Sequence, residues 1–488
     1  MVAIAQTIFA SMATNTHHLT ELTVAVIPWP EHGHLNQLFH LANFISSHNV
    51  PIHFISLTNK NQELKNRVKN TSKIHFDNLL APPLAQKTEP REDFADEYEF
   101  LEFLDKLGEP ICEICVDISM RTKKLVVILD SLMTDVVKEV YSISNVECFS
   151  FHAISSFCMY TTFKQIVGVD DGVAHQVFDE FPELRNRNEV DESVARQMFD
   201  EMPEPGDCFG PDIFDFVKKE SECNRNIGEL VNSCRELEGK YLDLLVNVRK
   251  KPLFALGPFH MLGELLESSG NRCRRHECLE FLDEQEVNSV MFVSFGTTTT
   301  LSREQVNELV LGLEMSNHKF IWVLREADKR METEECEGKD GNFELPEGFE
   351  ERVEGRGMVV RNWVPQLEIL GHKATGGFLS HCGWNSCMES VSVGVPLATW
   401  PIHVDQPYNA VFVTNVLKIG IPVRSWAHRE ELVMAAVIEK AVRTLMGTPE
   451  GEEMRHRAME LSNKIKSSVS RGGLAHKERE SFISCITK

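Results

Sequence analysis

Between Gly376 and Pro396 the chain reads GGFLSHCGWNSCMESVSVGVP. An apolar strand ends at His381, Cys382-Gly383 make a tight turn, and helix-forming composition runs from Trp384 until Gly394 and Pro396 stop it. Asn385 and Ser386 therefore fall in a first helical turn, where unpaired backbone N–H groups and the positive end of the dipole suit a phosphate. The segment has no lysine or arginine. A diphosphate here would be held by backbone amides, the Ser386 hydroxyl, the Asn385 amide and the His381 imidazole. The same residues serve equally well as helix caps, with His381 a packed strand end. Glu389 lies one turn beyond Ser386, close enough to accept hydrogen bonds from a ribose diol; an exposed helix glutamate is the plain alternative.

A second constellation lies in the first third of the chain. His34 follows the strand-like LTVAVIP and the loop WPEHGH, and Asp130 ends the apolar run KLVVILD. Imidazole is suited to proton abstraction near neutral pH. A carboxylate on its far nitrogen fixes the tautomer and stabilises the imidazolium. Sequence alone does not bring the two into contact. His32 is the weaker competitor as base, His17 and His18 read as tail residues, and a His32/His34 metal pair lacks a matching carboxylate cluster. Cys112 and Cys115 form a CxxC on helical flanks with no second pair, which reads as packing. SFGTTTT, from Ser294 to Thr300, is another glycine-containing strand-to-helix turn. Its hydroxyls could reach phosphates or simply cap the helix at Ser302.

These residues need strand ends to hold them. LTVAVIP, a helix over LNQLFHLANFISSH and the strand PIHFISL make a β-α-β opening of a parallel sheet, whose ligands gather at carboxyl strand ends. The rhythm lapses in the acidic stretch from Val167 to Gly210, which reads as surface helices and loops. It resumes at GELVNSCRELEGKYLDLL, and lapses again around Gly257-Pro258 and Ser268-Ser269-Gly270. SVMFVSFG then opens a second series, with REQVNELVLGLEMS as helix and KFIWVLR, GMVVRNWV, GGFLSH, VPLATWP and IPVRSW as strands, each followed by a helix. A charged loop interrupts it from Glu326 to Gly348. The expected organisation is a tail over 1–20, an N-terminal Rossmann-like domain over 21–257 and a linker over 258–275. A second such domain follows over 276–465, and then a C-terminal helix over 466–488 packing back on the first. The expected site is the cleft between two doubly wound α/β domains. Neither half carries GxGxxG after its first strand, which weighs against a nicotinamide-type enzyme.

The bulk properties narrow the field. The 488 residues suit two large domains, and 42% hydrophobic with 25% charged composition describes a globular chain. A formal charge of −23 argues against nucleic-acid binding, which relies on Lys and Arg displacing counterions. Thirteen irregularly spaced cysteines do not form a disulfide framework, so a reducing, cytoplasmic setting is expected. The N-terminus lacks the basic residues of a signal peptide, and no apolar run reaches the length of a membrane span.

The run WVPQLEILGHKATGGFLSHCGWNSCMESVSVGVPLATWPIHVDQ, Trp363 to Gln406, resembles the plant secondary-product glycosyltransferase signature of the UDP-dependent glycosyltransferases of family 1. GHLNQ, LVNSCRELEGKYL and ECLEFLDEQEVNSVMFVSFGT extend the resemblance over nearly the whole chain. HGHLNQLFHLANFISS, DSLMTDVV and GVPLATWPIHVDQP are most similar to the zeatin O-glucosyltransferase-like branch. The resemblance implies the GT-B fold, two facing Rossmann-like domains with an interdomain cleft. It implies that Trp363 stacks on uracil, that Gln366 meets the uracil and ribose end, and that Val364 belongs to the same donor site. His381, Asn385 and Ser386 would hold the phosphates with Thr297 or Thr299, Glu389 the ribose hydroxyls, Trp384 the sugar, and Asp405 with Gln406 the sugar hydroxyls. His34 matches the catalytic histidine and Asp130 its partner.

The implied reaction is a single inverting displacement, without metal or bound cofactor, in which the helix tip stabilises departing UDP. Gln406 goes with UDP-glucose, leaving UDP-xylose and UDP-galactose as alternatives. The acceptor would be a hydroxyl of a cytokinin, a flavonoid or other phenolic, or a terpenoid, and the enzyme a monomer without membrane insertion. Two other readings compete: a UDP-sugar-binding protein without catalysis, and a nicotinamide-dependent reductase. Departures from the family pattern include Gln37 in place of a frequent proline, Phe281 in place of a usual tryptophan, and the poorly matching acidic segment.

Overall fold

The computed structural model describes residues 19–67, 74–80, 102–167, 203–208, 225–262, 275–296, 299, 301–324 and 345–488. The tail, most of the acidic segment, the middle of the linker, Thr297 and most of the charged loop lie outside the described residues. Dense contacts divide the chain into two compact units. One is Met1–Phe151 with Cys223–Glu229 and Ile483–Lys488; the other is His152–Glu222 with Leu230–Phe482.

The first sheet contains β1 (Thr20–Ile27), β2 (Ile52–Leu57), β3 (Ile74–Leu79), β4 (Thr122–Asp130), β5 (Val146–His152), β6 (Gly228–Val231) and β7 (Leu253–Ala255), in the order β3-β2-β1-β4-β5-β6-β7. The pairings from β3 to β5 are parallel. Strands buried on both faces read as continuous apolar runs, which is why VVILD and TVAVI stand out in the sequence. β3, IHFDNL, and β7, LFA, do not, because β3 alternates polar with apolar residues and β7 has three residues.

Helix α1 (His32–Ser47) buries Leu35, Leu38, Phe39, Leu41, Ala42 and Ile45, the spacing of one helical face. Its Phe39 ring lies 5.6 Å from Phe54 of β2 and 6.0 Å from Phe76 of β3, which seats α1 on that face of the sheet. The other face carries Ala25, Ile27, Ile55, Leu57, Leu79, Val127 and Leu129. They pack with Ile111, Cys115 and Ile118 of α2 (Gly108–Ser119). Each fully buried aliphatic or aromatic side chain is worth about 1.5–3 kcal/mol. The two faces therefore hold the strand ends firmly in place.

The second sheet runs β10-β9-β8-β11-β12-β13 and is parallel throughout. Its strands are β8 (Val290–Ser294), β9 (Lys319–Val323), β10 (Gly357–Val360), β11 (Thr375–Ser380), β12 (Leu397–Thr399) and β13 (Gly420–Pro422). Helix α3 (Arg303–Ser316) matches the helix expected from REQVNELVLGLEMS, with Ser302 as its cap. Helices α4 (Trp384–Val393) and α5 (Gln406–Val411) follow β11 and β12. After β13 comes a short 3-10 turn, Trp426–His428, before the next helix. Among the described residues no helix is long and apolar enough to cross a membrane.

Candidate active site

Each sheet has a topological switch point, where strand order reverses and the loops on either side part to leave a crevice. In the first sheet it falls between β1 and β4, and in the second between β8 and β11. His34 and Asp130 lie at the first of these places, and His381, Ser386 and Glu389 follow β11 at the second.

At the first switch point, Trp29-Pro30 end the approach to the helix and Glu31, in extended conformation, leads into α1. His34 thus occupies the first turn of α1 rather than a loop, its N–H bonded to the Glu31 carbonyl at 3.1 Å. Asp130 is the last residue of β4 and wholly buried. One carboxylate oxygen accepts from the Leu132 backbone N–H at 3.1 Å; the other meets His34 Nδ1 at 2.7 Å. An ionised carboxylate only accepts, so Nδ1 carries the proton and Nε2 of the neutral ring carries the lone pair. His32 turns elsewhere: its Nε2 lies 3.4 Å from Lys60 Nζ and its Nδ1 3.8 Å from Glu63 Oε2. The two histidines of the HxH run do not converge.

At the second switch point, Ser294 of β8 is in register with Ser380 of β11, so the turns that follow run side by side. The His381 ring is enclosed between them. A Cβ on Gly296 would lie 2.6 Å from His381 Nε2, and one on Gly383 2.7 Å. Neither turn tolerates a side chain, and Gly296 also has φ of +80°. Burial, with neighbouring His403, holds the imidazole down to about 4 against a Ser294 backbone hydrogen bond that raises it. His381 is therefore neutral near pH 7, and its Nδ1 is buried without a hydrogen-bond partner among the described residues. Thr299 Oγ1 is likewise buried and unpartnered among the described residues. Unmet polar groups of this kind cost free energy unless something pairs them.

Cys382 turns the chain with φ of +66°, an uncommon conformation for a residue with a side chain. Gly383 then caps α4 without any side-chain bond, and the first turn holds no acidic residue. A first turn led by glycine and without an acidic residue presents backbone N–H groups and the positive end of the helix dipole, which suit an anion. Behind the tip, Gln366 Nε2 donates to Ser386 Oγ at 3.0 Å and to Glu389 Oε2 at 2.9 Å. Glu389 is not an exposed helix glutamate: burial pushes its carboxyl up to about 7, against the Gln366 hydrogen bond that lowers it. Trp363, just before Gln366, is 62% exposed, although Val364 is buried. The Trp363 carbonyl accepts from His276 Nε2 at 3.2 Å, and the two rings meet edge to face at 6.5 Å.

Trp384 and Gln406 have other partners. The Trp384 indole is buried and donates to the Asn232 carbonyl at 2.9 Å. Gln406 Oε1 accepts from the Ile402 and His403 backbone N–H groups at 2.9 and 3.2 Å, shaping its own loop. That loop also contains Val404 at φ of +58°, a strained conformation for a β-branched residue. Asp405 is tied down by a residue the sequence reading passed over. Asn409 Nδ2 donates to Asp405 Oδ2 at 2.7 Å and to the Cys382 carbonyl at 3.0 Å, and its Oδ1 accepts from Ser155 Oγ at 2.8 Å. The signal was present in DQPYNA, since Asn409 stands four residues after Asp405 on a helix, the spacing of facing side chains.

Two Rossmann-like parallel-sheet units, with a glycine-led helix tip and a carboxylate-amide pair at one switch point and a histidine-aspartate pair at the other, define a GT-B glycosyltransferase. Comparison with known proteins specifies it further. The family model "Glycosyltransferase, N-terminal domain" matches residues 20–179 and 182–261, and "UDP-glucoronosyl and UDP-glucosyl transferase" matches 248–464. The chain is 44% identical over 477 residues to a zeatin O-glucosyltransferase of Phaseolus lunatus, covering 96% of this chain and 98% of that one. It is 41% identical to a zeatin O-xylosyltransferase of Phaseolus vulgaris, covering 96% and 99%. Among solved structures it resembles Phytolacca americana UGT2 complexed with UDP-2fluoro-glucose and pterostilbene, at 25% identity and a TM-score of 0.71 over 96% of this chain and all of that one. The chain belongs to glycosyltransferase family 1 and is a UDP-glycosyltransferase.

Proposed function

We propose that this enzyme transfers glucose from UDP-glucose, with inversion, to a hydroxyl of a small lipophilic plant metabolite of the cytokinin, phenolic or terpenoid kind. The observation that carries the proposal is the 2.7 Å bond between His34 Nδ1 and buried Asp130, which leaves Nε2 as the basic atom of the ring. His34 takes the acceptor proton as the oxygen attacks the anomeric carbon, and Asp130 stabilises the imidazolium that forms. The bond to the UDP oxygen breaks in the same step, so configuration at the anomeric carbon inverts. No metal or bound cofactor takes part.

The donor's uracil stacks on Trp363, beside Val364 and Gln366, and its ribose diol donates to Glu389. Amides of the α4 tip hold the diphosphate together with Asn385, Ser386, neutral His381 and the hydroxyls of Thr297 or Thr299. They stabilise charge as UDP departs. Asp405 and Gln406 meet the sugar hydroxyls, and Trp384 forms the wall behind. Cytokinin acceptors are favoured by the two Phaseolus relatives, whose names specify zeatin. The second of them transfers xylose by its name, which makes UDP-xylose the second donor to test.

The test is a screen of UDP-glucose, UDP-xylose and UDP-galactose against zeatin, flavonoid and terpenoid alcohols. Products are read by mass spectrometry and their anomeric configuration by NMR. A β-glucoside from the α-linked donor supports the proposal. UDP binding without turnover of any acceptor, or product retaining the donor's configuration, defeats it.

A further inference from the structure

We propose that His53, His75 and Asp77 form a zinc-binding site on the first sheet, separate from the sugar-transfer site. His53 lies on β2 and pairs directly with His75 of the neighbouring parallel strand β3; Asp77 follows two residues later on β3. Side chains of a strand alternate between faces, so His75 and Asp77 project from the same face as each other. Both imidazoles aim at one carboxylate. His53 Nδ1 lies 2.8 Å from Asp77 Oδ2, and His75 Nε2 lies 3.3 Å from Asp77 Oδ1. The two rings are 4.9 Å apart, and one ligand atom from each of the three residues lies within 4.8 Å of the others.

Two imidazoles and one carboxylate are a donor set that zinc accepts, with water in the fourth position. Tetrahedral zinc at about 2.0–2.2 Å from each ligand needs ligand atoms roughly 3.3–3.6 Å apart. The present spacing reaches that with small side-chain rotations. His75 is 67% exposed, so solvent and metal have entry, while His53 and Asp77 at 21% and 17% are held by the sheet. Asn61 supports the set from below. It is fully buried and its Nδ2 donates to the Ser56 and Asp77 carbonyls and to Asn78 Oδ1, locking β2 to β3. Outer bonds of this kind keep ligands in place.

Register separates this site from the catalytic pair. His53 is level with Ala25 of β1, which is level with Val127 of β4, three residues before Asp130. Counting in twos, His53 shares its face with Ile55 and Leu57, and Asp77 with Leu79, the face packed on α2. Asp130 is out of phase with Val127 and Leu129 and points to the α1 face, where His34 is. The sheet itself lies between the two sites. β3 is the edge strand, and a metal bridging it to β2 would pin that edge, which identifies a structural clip rather than a participant in transfer.

The experiment uses the untagged full chain, stripped with chelator and titrated with zinc against a chromophoric competitor. One equivalent is expected to bind wild type and to raise its unfolding temperature. Cobalt in the same place should give the visible absorption of a tetrahedral nitrogen-oxygen site. His75→Ala and Asp77→Asn should lose that equivalent, the absorption and the thermal shift, and keep wild-type turnover of UDP-glucose. The exposed ring of His75 makes its variant the safer for folding, and circular dichroism verifies both. Absence of stoichiometric zinc on wild type, or equal binding by wild type and His75→Ala, overturns the site.

Discussion

The Gln366 side-chain amide reaches the Glu389 carboxylate at 2.9 Å and the Ser386 hydroxyl at 3.0 Å, joining two helix starts into one polar patch. The carboxyl in that patch is raised to about 7 by burial. A carboxyl raised in the folded state keeps its proton longer than it does unfolded. Its contribution to stability is fully present below the ordinary value near 4.5 and is lost as pH rises through about 7. A ribose diol needs the ionised form as acceptor. UDP affinity should therefore strengthen between about pH 6 and 8, with proton release on binding. Glu389→Gln should bind UDP more weakly and lose that pH dependence. Calorimetry in buffers of different ionisation heat checks both.

Trp363 is a largely exposed aromatic, as expected of a platform for a base. Trp363→Ala should raise KM for UDP-glucose about 5- to 100-fold, the range of base stacking on an aromatic ring, with kcat little changed. Thermal unfolding should not move, since 62% of the residue is already in solvent. Steady-state kinetics and a melting curve separate these outcomes.

Asn409 is buried and serves three partners, Asp405, the Cys382 carbonyl and Ser155. Asn409→Ala leaves those groups unpaired, at about 1–3 kcal/mol for each buried group affected. Denaturant unfolding should show that loss. The KM for the sugar donor should rise with it, because Asp405 and the turn at Cys382 lose their tether.

The outline of this arrangement was legible in the sequence wherever one residue's chemistry coincided with a local break in pattern. Asp130 is visible because a charge ends five apolar residues, and the α4 tip because a glycine turn precedes helix formers. The apolar runs also marked most strands, and REQVNELVLGLEMS marked α3 to the residue. Long-range partners were not legible. Nothing local to Trp384 says that its indole N–H bonds to Asn232, which is 152 residues distant. Nothing local to Glu389 says that it is half-buried and bonded to Gln366. Strand β3 was passed over because it carries His75, Asp77 and Asn78 where a central strand carries valine. The start of α1 was misplaced by three residues of helix, since His-Gly-His has no capping signature and Glu31 makes no side-chain cap bond.

Asp130 both caps the turn at Leu132 and holds His34, so its neutral analogue separates charge from shape. Asp130→Asn can keep the Leu132 bond through its amide oxygen, while the imidazolium loses its counter-charge. Turnover should fall by about 10²- to 10⁴-fold, with KM for UDP-glucose nearly unchanged. A proportional rise in KM instead would mean that Asp130 serves only to shape the strand end.

The most direct measurement is the rate of glucosyl transfer to a hydroxyl acceptor by His34→Ala, beside its affinity for UDP. His34 is in α1 of one unit, and the proposed uridine-binding residues belong to the other. Removing the imidazole should leave UDP affinity as in wild type and lower transfer by about a hundredfold or more. Transfer at the wild-type rate would contradict His34 as the base.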